Sequence, residues 1–180
     1  MSTDVTPAFA LWITGRPGAG KTTLTDALMR RLHKRGIDAV VLSSDFFRQR
    51  FSPRAIEAEE EREAFYRGIV EIAALFVERG VPVLIDATGM RRAYRAVARE
   101  SLDRFAEVHV DCPPELGAAR HFLSGSRAAA TVEPATAYEN PVHPEVAVRT
   151  DVDDPEVAAE KTMNYLIASG LIPSRRRTLV

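Results

Sequence analysis

A glycine-rich segment with a lysine and a threonine lies near the start of the chain. Residues 15–22 read G-R-P-G-A-G-K-T, between an apolar run at 9–14 and a helix-forming run. Glycines let successive backbone N–H groups turn toward one anion, and the following helix adds its positive dipole end. Lys21 would reach the β- and γ-phosphates, and the Thr22 hydroxyl would bind Mg²⁺. The segment therefore predicts a nucleoside triphosphate site, and we call it the P-loop. The residues expected at this site are Gly15, Arg16, Gly18, Ala19, Gly20, Lys21, Thr22 and Thr23.

Two aspartates follow apolar, strand-like runs. Asp45 comes after the run at 37–42, and Asp86 comes directly after 81–85. Ligands of open α/β sheets bind at the carboxyl ends of strands, so both carboxylates are expected near the P-loop. Asp45 would accept a hydroxyl proton from a phosphoryl acceptor or hold a metal-bound water, and its alternative role is a helix N-cap. Asp86 would contact Mg²⁺ through water. The sequence leaves open which of the two aspartates is the catalytic base and which organises the metal site.

Several arginines are candidates for binding the charge of a phosphoryl acceptor or of a transferring phosphate. Arg48 lies three residues beyond Asp45, within reach of an anionic acceptor, and Arg120 would stack on adenine or clamp a phosphate. For each arginine taken alone, a solvated surface position is the simpler interpretation. The candidates are Arg48, Arg67, Arg91, Arg92, Arg120 and Arg127. Three phenylalanines either stack on an aromatic acceptor or pack in the core: Phe46, Phe47 and Phe51. The four histidines lack metal-ligand spacing, so no zinc site is expected.

Strand-like and helix-like runs alternate along the chain. Strands are predicted at 9–14, 37–42, 81–85, 105–110 and 146–148, and helices at 21–35, 54–79, 114–123 and 155–169, with an arginine-rich helix after Asp86. This alternation predicts a parallel α/β sheet with helices on both faces, in one domain over residues 1–180. Residues 120–145 include a long stretch of small residues and turn formers without periodicity, which is typical of a lid over an active site.

Composition limits the partners and the compartment. A net charge of −1 over 180 residues gives no electrostatic footprint for duplex nucleic acid. The single cysteine, Cys112, excludes an internal disulfide framework and favours a reducing cytosol. We see no export signal at the N-terminus and no apolar stretch of membrane-spanning length. We therefore expect a cytoplasmic protein with a small-molecule acceptor and neither nucleic acid nor membrane as partner. A homodimer is left open.

The motifs together resemble those of the adenylylsulfate kinases, P-loop enzymes that phosphorylate the 3′-hydroxyl of adenosine 5′-phosphosulfate with MgATP. The resemblance runs from the P-loop to about residue 150. Asp45 and Arg48 fall on the family's L-D-G-D-x-x-R, Phe51 on the F of a following F-S, and Arg67 on the first arginine of a helical I-R-R motif. Two further stretches match the family, at 108–115 and 138–145. The resemblance implies a P-loop NTPase fold, ATP and Mg²⁺, with Arg48 and Arg67 holding the acceptor's negative group. By resemblance to nucleotide kinases, the strand order is expected to be 2-3-1-4-5.

The acceptor half departs from the family pattern. Ser43 and Ser44 replace the Asp-Gly of D-G-D, and Phe65 replaces an asparagine that binds adenylylsulfate in the family. The sequence at 86–89, D-A-T-G, is closer to small kinases for sugars or nucleotides. The expected function is transfer of the ATP γ-phosphoryl group to a nucleotide-like acceptor, with adenylylsulfate leading. The alternatives are a kinase for a nucleoside, sugar nucleotide or secondary-metabolite intermediate, and a regulatory nucleotide-binding protein without turnover.

Overall fold

The computed structural model describes residues 8–51, 58–123 and 138–174. Five strands form one sheet in the order β2-β3-β1-β4-β5, and every neighbouring pair is parallel. The strands are β1 (Ala10–Thr14), β2 (Val40–Ser43), β3 (Val83–Asp86), β4 (Phe105–Asp111) and β5 (Val146–Arg149). The predicted order 2-3-1-4-5 is confirmed. Parallel neighbours require crossover connections, which the helices supply.

In the part of the chain that the structure describes, five helices lie between the strands and a sixth follows β5. They are α1 (Lys21–His33), α2 (Ser44–Phe51), α3 (Glu59–Glu78), α4 (Arg92–Ser101), α5 (Pro114–Leu123) and α6 (Pro155–Ala168). Helix α2 was not predicted, because it is short and has no buried apolar stripe. It begins directly after β2, where the Ser43 hydroxyl accepts a hydrogen bond from the Phe46 backbone N–H at 3.3 Å. The predicted second strand began too early, since Ile37 donates its N–H back to Leu32 at the end of α1.

The central strand divides the apolar core into two layers. Along β1, Leu11 and Ile13 face a cluster formed with α1 and α6, whereas Ala10 and Trp12 face a cluster formed with α3 and α4. This alternation follows from the two-residue period of a strand. Because both faces are covered, β1 is buried along its whole length, as is usual for a central parallel strand. The expected helices on both faces are therefore present.

The carboxyl edge of the sheet collects the polar segments. The P-loop follows β1, Asp45 lies just beyond β2, Asp86 ends β3 and Thr150 follows β5. Of the expected lid at 120–145, residues 124–137 lie outside the described ranges, as does Arg127. Among the helices that the structure describes, none is long and apolar enough to cross a membrane.

Candidate active site

The P-loop has a backbone that its glycines make accessible. Gly18 and Gly20 adopt left-handed conformations with φ of 74° and 98°. A Cβ at Gly18 would overlap the Gly117 carbonyl of α5, and one at Gly15 would overlap the Val110 carbonyl of β4. Glycine is therefore required at Gly18 both for its positive φ and for its close packing on neighbouring backbone, and at Gly15 for the packing. The loop ends at Lys21, the first residue of α1, so the amino end of that helix faces the same space.

Lys21 lies folded over the P-loop. Its Nζ donates hydrogen bonds to the carbonyls of Gly15 at 3.0 Å and Arg16 at 3.1 Å. Burial lowers the pKa of the Lys21 ammonium, and the negative charges of Asp86 and Asp45 oppose that shift. Burial likewise raises the pKa of the Asp86 carboxyl, against the opposing effects of Lys21 and of a Thr22 hydrogen bond. The lysine and both carboxylates therefore form one electrostatic unit.

A hydroxyl and a carboxylate meet beside this lysine. Thr22 Oγ1 donates to Asp86 Oδ2 at 2.8 Å. Both oxygens are hard donors of the kind that Mg²⁺ prefers, and Mg²⁺ usually keeps several waters. Within 8–51, 58–123 and 138–174 no three His, Cys, Asp or Glu side chains group to hold a metal ion. A Mg²⁺ here would therefore take most of its ligands from nucleotide phosphates and water, which the donor set fits.

One cavity of about 590 Å³ joins the P-loop to α2 and α3. This volume is within the range of small-molecule sites. Its phosphate side includes Gly18, Gly20, Lys21, Thr22 and Thr23. Its opposite side, which we call the acceptor wall, consists of Asp45, Arg48, Arg62, Tyr66, Thr88 and Met90. Asp86 also lines the cavity, and so does a further group: Arg120, His121, Thr150 and Asp153.

The two aspartates have different surroundings in this cavity. Asp45 is exposed and lies in the first turn of α2, whereas Asp86 is buried and accepts the Thr22 hydrogen bond. The N-cap alternative for Asp45 is not observed, because Ser43 supplies the hydroxyl that caps Phe46. The exposed Asp45 and the buried Asp86 therefore line one cavity in different environments.

Two guanidinium groups border the acceptor wall. Arg48 lies over the Phe65 ring at 5.7 Å, and its positive charge opposes the rise that burial causes in the pKa of Tyr66. Arg62 lies one helical turn before Tyr66 and is 3.6 Å from the Glu59 carboxylate. Guanidinium pairs of this kind suit phosphate-like or sulfate-like groups. The wall therefore presents two guanidinium groups beside the Asp45 carboxylate.

The adenylylsulphate kinase family model matches residues 7–149 of the chain. The chain belongs to the adenylylsulphate kinase family. It is 35% identical over 153 residues to a probable adenylyl-sulfate kinase of Archaeoglobus fulgidus, covering 82% of this chain and 99% of that protein. It is 36% identical over 167 residues to a probable adenylyl-sulfate kinase of Halalkalibacterium halodurans, covering 88% and 82%. As a member of this family it is an ATP-dependent kinase.

A solved structure supports the same fold. The Mycobacterium tuberculosis APS kinase CysC, determined in complex with AMPPNP and APS, superposes with a TM-score of 0.76. The alignment covers 89% of this chain and 98% of that one, at 24% sequence identity. Together with the observed strand order, this likeness establishes the P-loop kinase fold for this member of the family.

Three predicted acceptor residues of this kinase lie outside the cavity lining. Arg67 is exposed and pairs with Glu63 at 2.8 Å, since it follows the wall residue Tyr66 and is rotated by about 100° around α3. Arg91 pairs with Glu59 at 2.7 Å. The Phe51 ring is 73% exposed and stacks on Phe47 at 5.8 Å. The structure therefore does not bring these three side chains to the site.

Other predicted residues take supporting positions. Gly15, Arg16 and Ala19 belong to the P-loop but do not line the cavity, and the Arg16 guanidinium lies over the Tyr138 ring at 5.5 Å. Arg120 does line the cavity. Its Nη1 donates to Thr150 Oγ1 at 3.2 Å and its Nη2 to the Thr150 carbonyl at 3.1 Å.

Two residues that line the cavity, Arg62 and Thr150, were not among the predicted site residues. Arg62 is four residues before Tyr66, so both lie on one face of α3. Thr150 follows the carboxyl end of β5, the same position that identified Asp45 and Asp86, and its hydroxyl donates to the Ala19 carbonyl at 2.7 Å. Thr150 thereby links Arg120 to the P-loop.

Proposed function

We propose that this kinase transfers the γ-phosphoryl group of MgATP to a hydroxyl of a nucleotide-like anion, with adenylylsulfate as the leading acceptor. The observation that carries the proposal is the continuous cavity that both the P-loop and the acceptor wall line. Phosphoryl transfer requires positioned phosphates on one side and a positioned hydroxyl on the other. The wall supplies one carboxylate, Asp45, and two cations, Arg48 and Arg62, which suits a hydroxyl on an anionic molecule.

Each polar group has a proposed task. Lys21 exchanges its two carbonyl partners for phosphate oxygens when the nucleotide binds. Asp86 accepts a hydrogen bond from the Thr22 hydroxyl, which leaves the lone pairs of that hydroxyl free to bind Mg²⁺. A Mg²⁺ bound by Thr22, with Asp86 beside it, would neutralise phosphate charge. Asp45 accepts the proton of the acceptor hydroxyl.

The negative group of the acceptor lies between Arg48 and Arg62 in this proposal. Arg62 replaces Arg67, which the sequence had favoured, because Arg62 borders the cavity and Arg67 does not. Charge-assisted hydrogen bonds from guanidinium groups contribute about 1.5–3 kcal/mol each. Two such groups would therefore account for strong discrimination in favour of an anionic acceptor.

A second candidate, a kinase for a different metabolite hydroxyl, is favoured by one feature of the wall. The Phe65 ring lies against the Arg48 guanidinium at 5.7 Å, at the position where the resemblance implies a ligand-binding asparagine. An apolar ring cannot donate or accept the hydrogen bonds that an amide offers. A changed acceptor would follow directly from that substitution.

Substitutions of the two arginines of α3 test the placement of the acceptor. Arg62→Gln is expected to raise the KM for an anionic acceptor by roughly 10- to 100-fold, with the KM for MgATP changed by less than about twofold. Arg67→Gln, which changes the same group five residues away, is expected to leave both values within about twofold. Steady-state ADP release with purified variants measures both constants. An unchanged acceptor KM in Arg62→Gln would contradict the proposed binding mode.

A further inference from the structure

Tyr138 lies behind the acceptor wall and donates to a buried threonine. Its ring is 5% exposed, and its hydroxyl oxygen is 3.0 Å from Thr14 Oγ1. Thr14 Oγ1 in turn donates to the Thr88 carbonyl at 2.6 Å. A hydroxyl has a single proton and a carbonyl can only accept, so the Thr14 proton is committed to Thr88. The hydrogen bond between Tyr138 and Thr14 is therefore donated by Tyr138.

The tyrosine hydroxyl keeps the proton that this relay needs. Burial raises the pKa of Tyr138 to about 12, although the Thr14 hydrogen bond and the charge of Arg95 oppose the rise. The residue is thus neutral at physiological pH. The relay Tyr138–Thr14–Thr88 joins a residue near β5 to the last residue of β1 and to a residue beyond the end of β3.

The ring of Tyr138 is held from two sides. The guanidinium carbons of Arg16 and Arg95 each lie 5.5 Å from its centroid. Arg95 is 2% exposed and is paired with Glu107 at 2.6 Å. A buried guanidinium with a paired carboxylate has few alternative positions, because moving it would leave a charge unpaired.

The backbone beside Tyr138 is bonded to the turn at residues 86–90. The Glu139 N–H donates to the Met90 carbonyl at 2.8 Å, and Arg95 donates to the carbonyls of both Gly89 and Glu139. This turn carries Asp86, Thr88 and Met90, all of which line the cavity. Residues 138 and 139 are therefore linked to the 86–90 turn by backbone hydrogen bonds and by hydrogen bonds from the Arg95 side chain.

The other end of the relay touches the P-loop. Thr14 is the residue directly before Gly15, and its neighbour Ile13 is in register with Asp86 across β1 and β3. We propose that Tyr138 is a positioning residue for phosphoryl transfer, whose hydroxyl fixes the Thr14–Thr88 bond and so holds the 86–90 turn at its distance from the P-loop. This inference rests on the proposed kinase reaction for its catalytic consequence. Its structural part stands on the hydrogen bonds alone.

Removing one oxygen tests the catalytic consequence. Tyr138→Phe keeps the ring between the two guanidinium groups and is expected to lower kcat by about 5- to 10-fold, with the KM for MgATP within about twofold, because small displacements of reacting groups lower rates strongly. Tyr165→Phe on α6 removes the same atom away from the cavity and is the matched control, expected at the wild-type rate. A Tyr138→Phe enzyme that is fully folded, by its thermal transition, and as fast as the wild type overturns the proposal.

A double-mutant cycle tests whether Tyr138 acts through Thr14. Thr14→Val removes the middle of the relay at constant shape, and the Tyr138→Phe/Thr14→Val double variant is expected to be no slower than Thr14→Val alone. Rate losses that multiply in the double variant contradict the relay. Thr14→Ser keeps the hydroxyl and is expected to retain more of kcat than Thr14→Val, which a loss of core packing alone would not produce.

The single tryptophan of the chain gives a readout that needs no acceptor. Trp12 Nε1 donates to the carbonyl of Ala87, the residue before Thr88, at 3.0 Å. Its indole N–H resonance in a ¹H–¹⁵N spectrum therefore reports on the 86–90 turn. Tyr138→Phe and Thr14→Val are expected to shift this resonance, and Tyr165→Phe is not. An unmoved indole signal in the first two variants overturns the inference even when turnover is observed. If the wild-type protein were inactive with every acceptor, the proposed function would be contradicted instead. The indole signal would still show whether Tyr138 positions the 86–90 turn.

Discussion

The Thr22 hydroxyl donates to the Asp86 carboxylate at 2.8 Å, across 64 positions of the sequence. This bond joins the first turn of α1 to the end of β3, and it lies next to the Lys21 ammonium. A threonine that donates to a carboxylate presents its lone pairs away from that carboxylate, toward the cavity. In the proposed reaction this pair would hold Mg²⁺ with the nucleotide phosphates, and Asp45 lines the same cavity.

Asp86→Asn is expected to lower kcat by about 10²-fold and to raise the Mg²⁺ concentration needed for half-maximal rate. An amide would still accept the Thr22 proton, but it carries no charge for the ion or for Lys21. Mg²⁺ titration of the rate at saturating ATP measures both effects. The control is Asp103→Asn, an exposed aspartate just before β4 at the opposite edge of the sheet. A wild-type Mg²⁺ dependence in Asp86→Asn would show that Asp86 has another role.

Stability of the nucleotide-free protein should depend on pH through Asp86. Burial raises its pKa above the ordinary value, so the folded state binds this proton more tightly than the unfolded state. The protonated Asp86 carboxyl adds to the free energy of unfolding. This contribution is fully present below the pKa of the unfolded state and is lost as pH rises through the pKa of the folded state. Asp86→Asn should therefore gain stability relative to the wild type as pH rises through that interval. Denaturant unfolding at a series of pH values measures the difference, and a difference independent of pH would contradict the buried, shifted carboxyl.

Asp45→Ala is expected to leave ATP affinity within a few-fold while lowering turnover by ~10²-fold or more. The reason is that Asp45 is proposed to act on the acceptor hydroxyl, whereas the Thr22 hydrogen bond on the metal side goes to Asp86. Nucleotide binding by calorimetry and ADP release in the presence of acceptor separate the two quantities. Wild-type turnover in Asp45→Ala would transfer the role of base to Asp86.

Gly18→Ala is expected to destabilise the fold by about 1–3 kcal/mol and to abolish nucleotide binding. Its φ of 74° is left-handed, and the new Cβ would meet the Gly117 carbonyl. Gly68→Ala is the matched control, because Gly68 lies inside α3 and an added methyl group there would meet no neighbouring atom within 4 Å. That control is expected to stabilise the protein by about 0.5–1 kcal/mol. Urea unfolding of both variants gives the two free energies.

The sequence predicted the parts of the site that obey a local rule. The P-loop is contiguous, and Asp45 and Asp86 each follow a strand at the carboxyl edge, so their convergence could be expected before any coordinates. The strand order followed from resemblance to nucleotide kinases. These features depend on short segments whose type and position are visible in the sequence.

Features that depend on the rotation of a helix or on distant contacts were missed. Arg62 borders the cavity and Arg67 does not, because the buried face of α3 is set by packing of Tyr66 on Tyr94 at 4.9 Å, a contact that the sequence does not specify. The bond between Thr14 and Tyr138 spans 124 positions, and no local pattern indicates it. Helix α2 buries only Ser44 and exposes Phe46 and Phe51, so the segment has no buried apolar face that a sequence pattern could indicate.

The most direct test of the account is ADP release from MgATP by the wild-type protein with adenylylsulfate as acceptor, beside nucleosides, sugar nucleotides and sugars. The cavity that joins the P-loop to Arg48 and Arg62 predicts saturable turnover with adenylylsulfate, with a higher kcat/KM than for any neutral acceptor in the set. Faster turnover with a neutral sugar or nucleoside would contradict the anionic acceptor while retaining the kinase. No turnover with any acceptor, in a protein that still binds ATP, would contradict the proposed phosphoryl transfer itself.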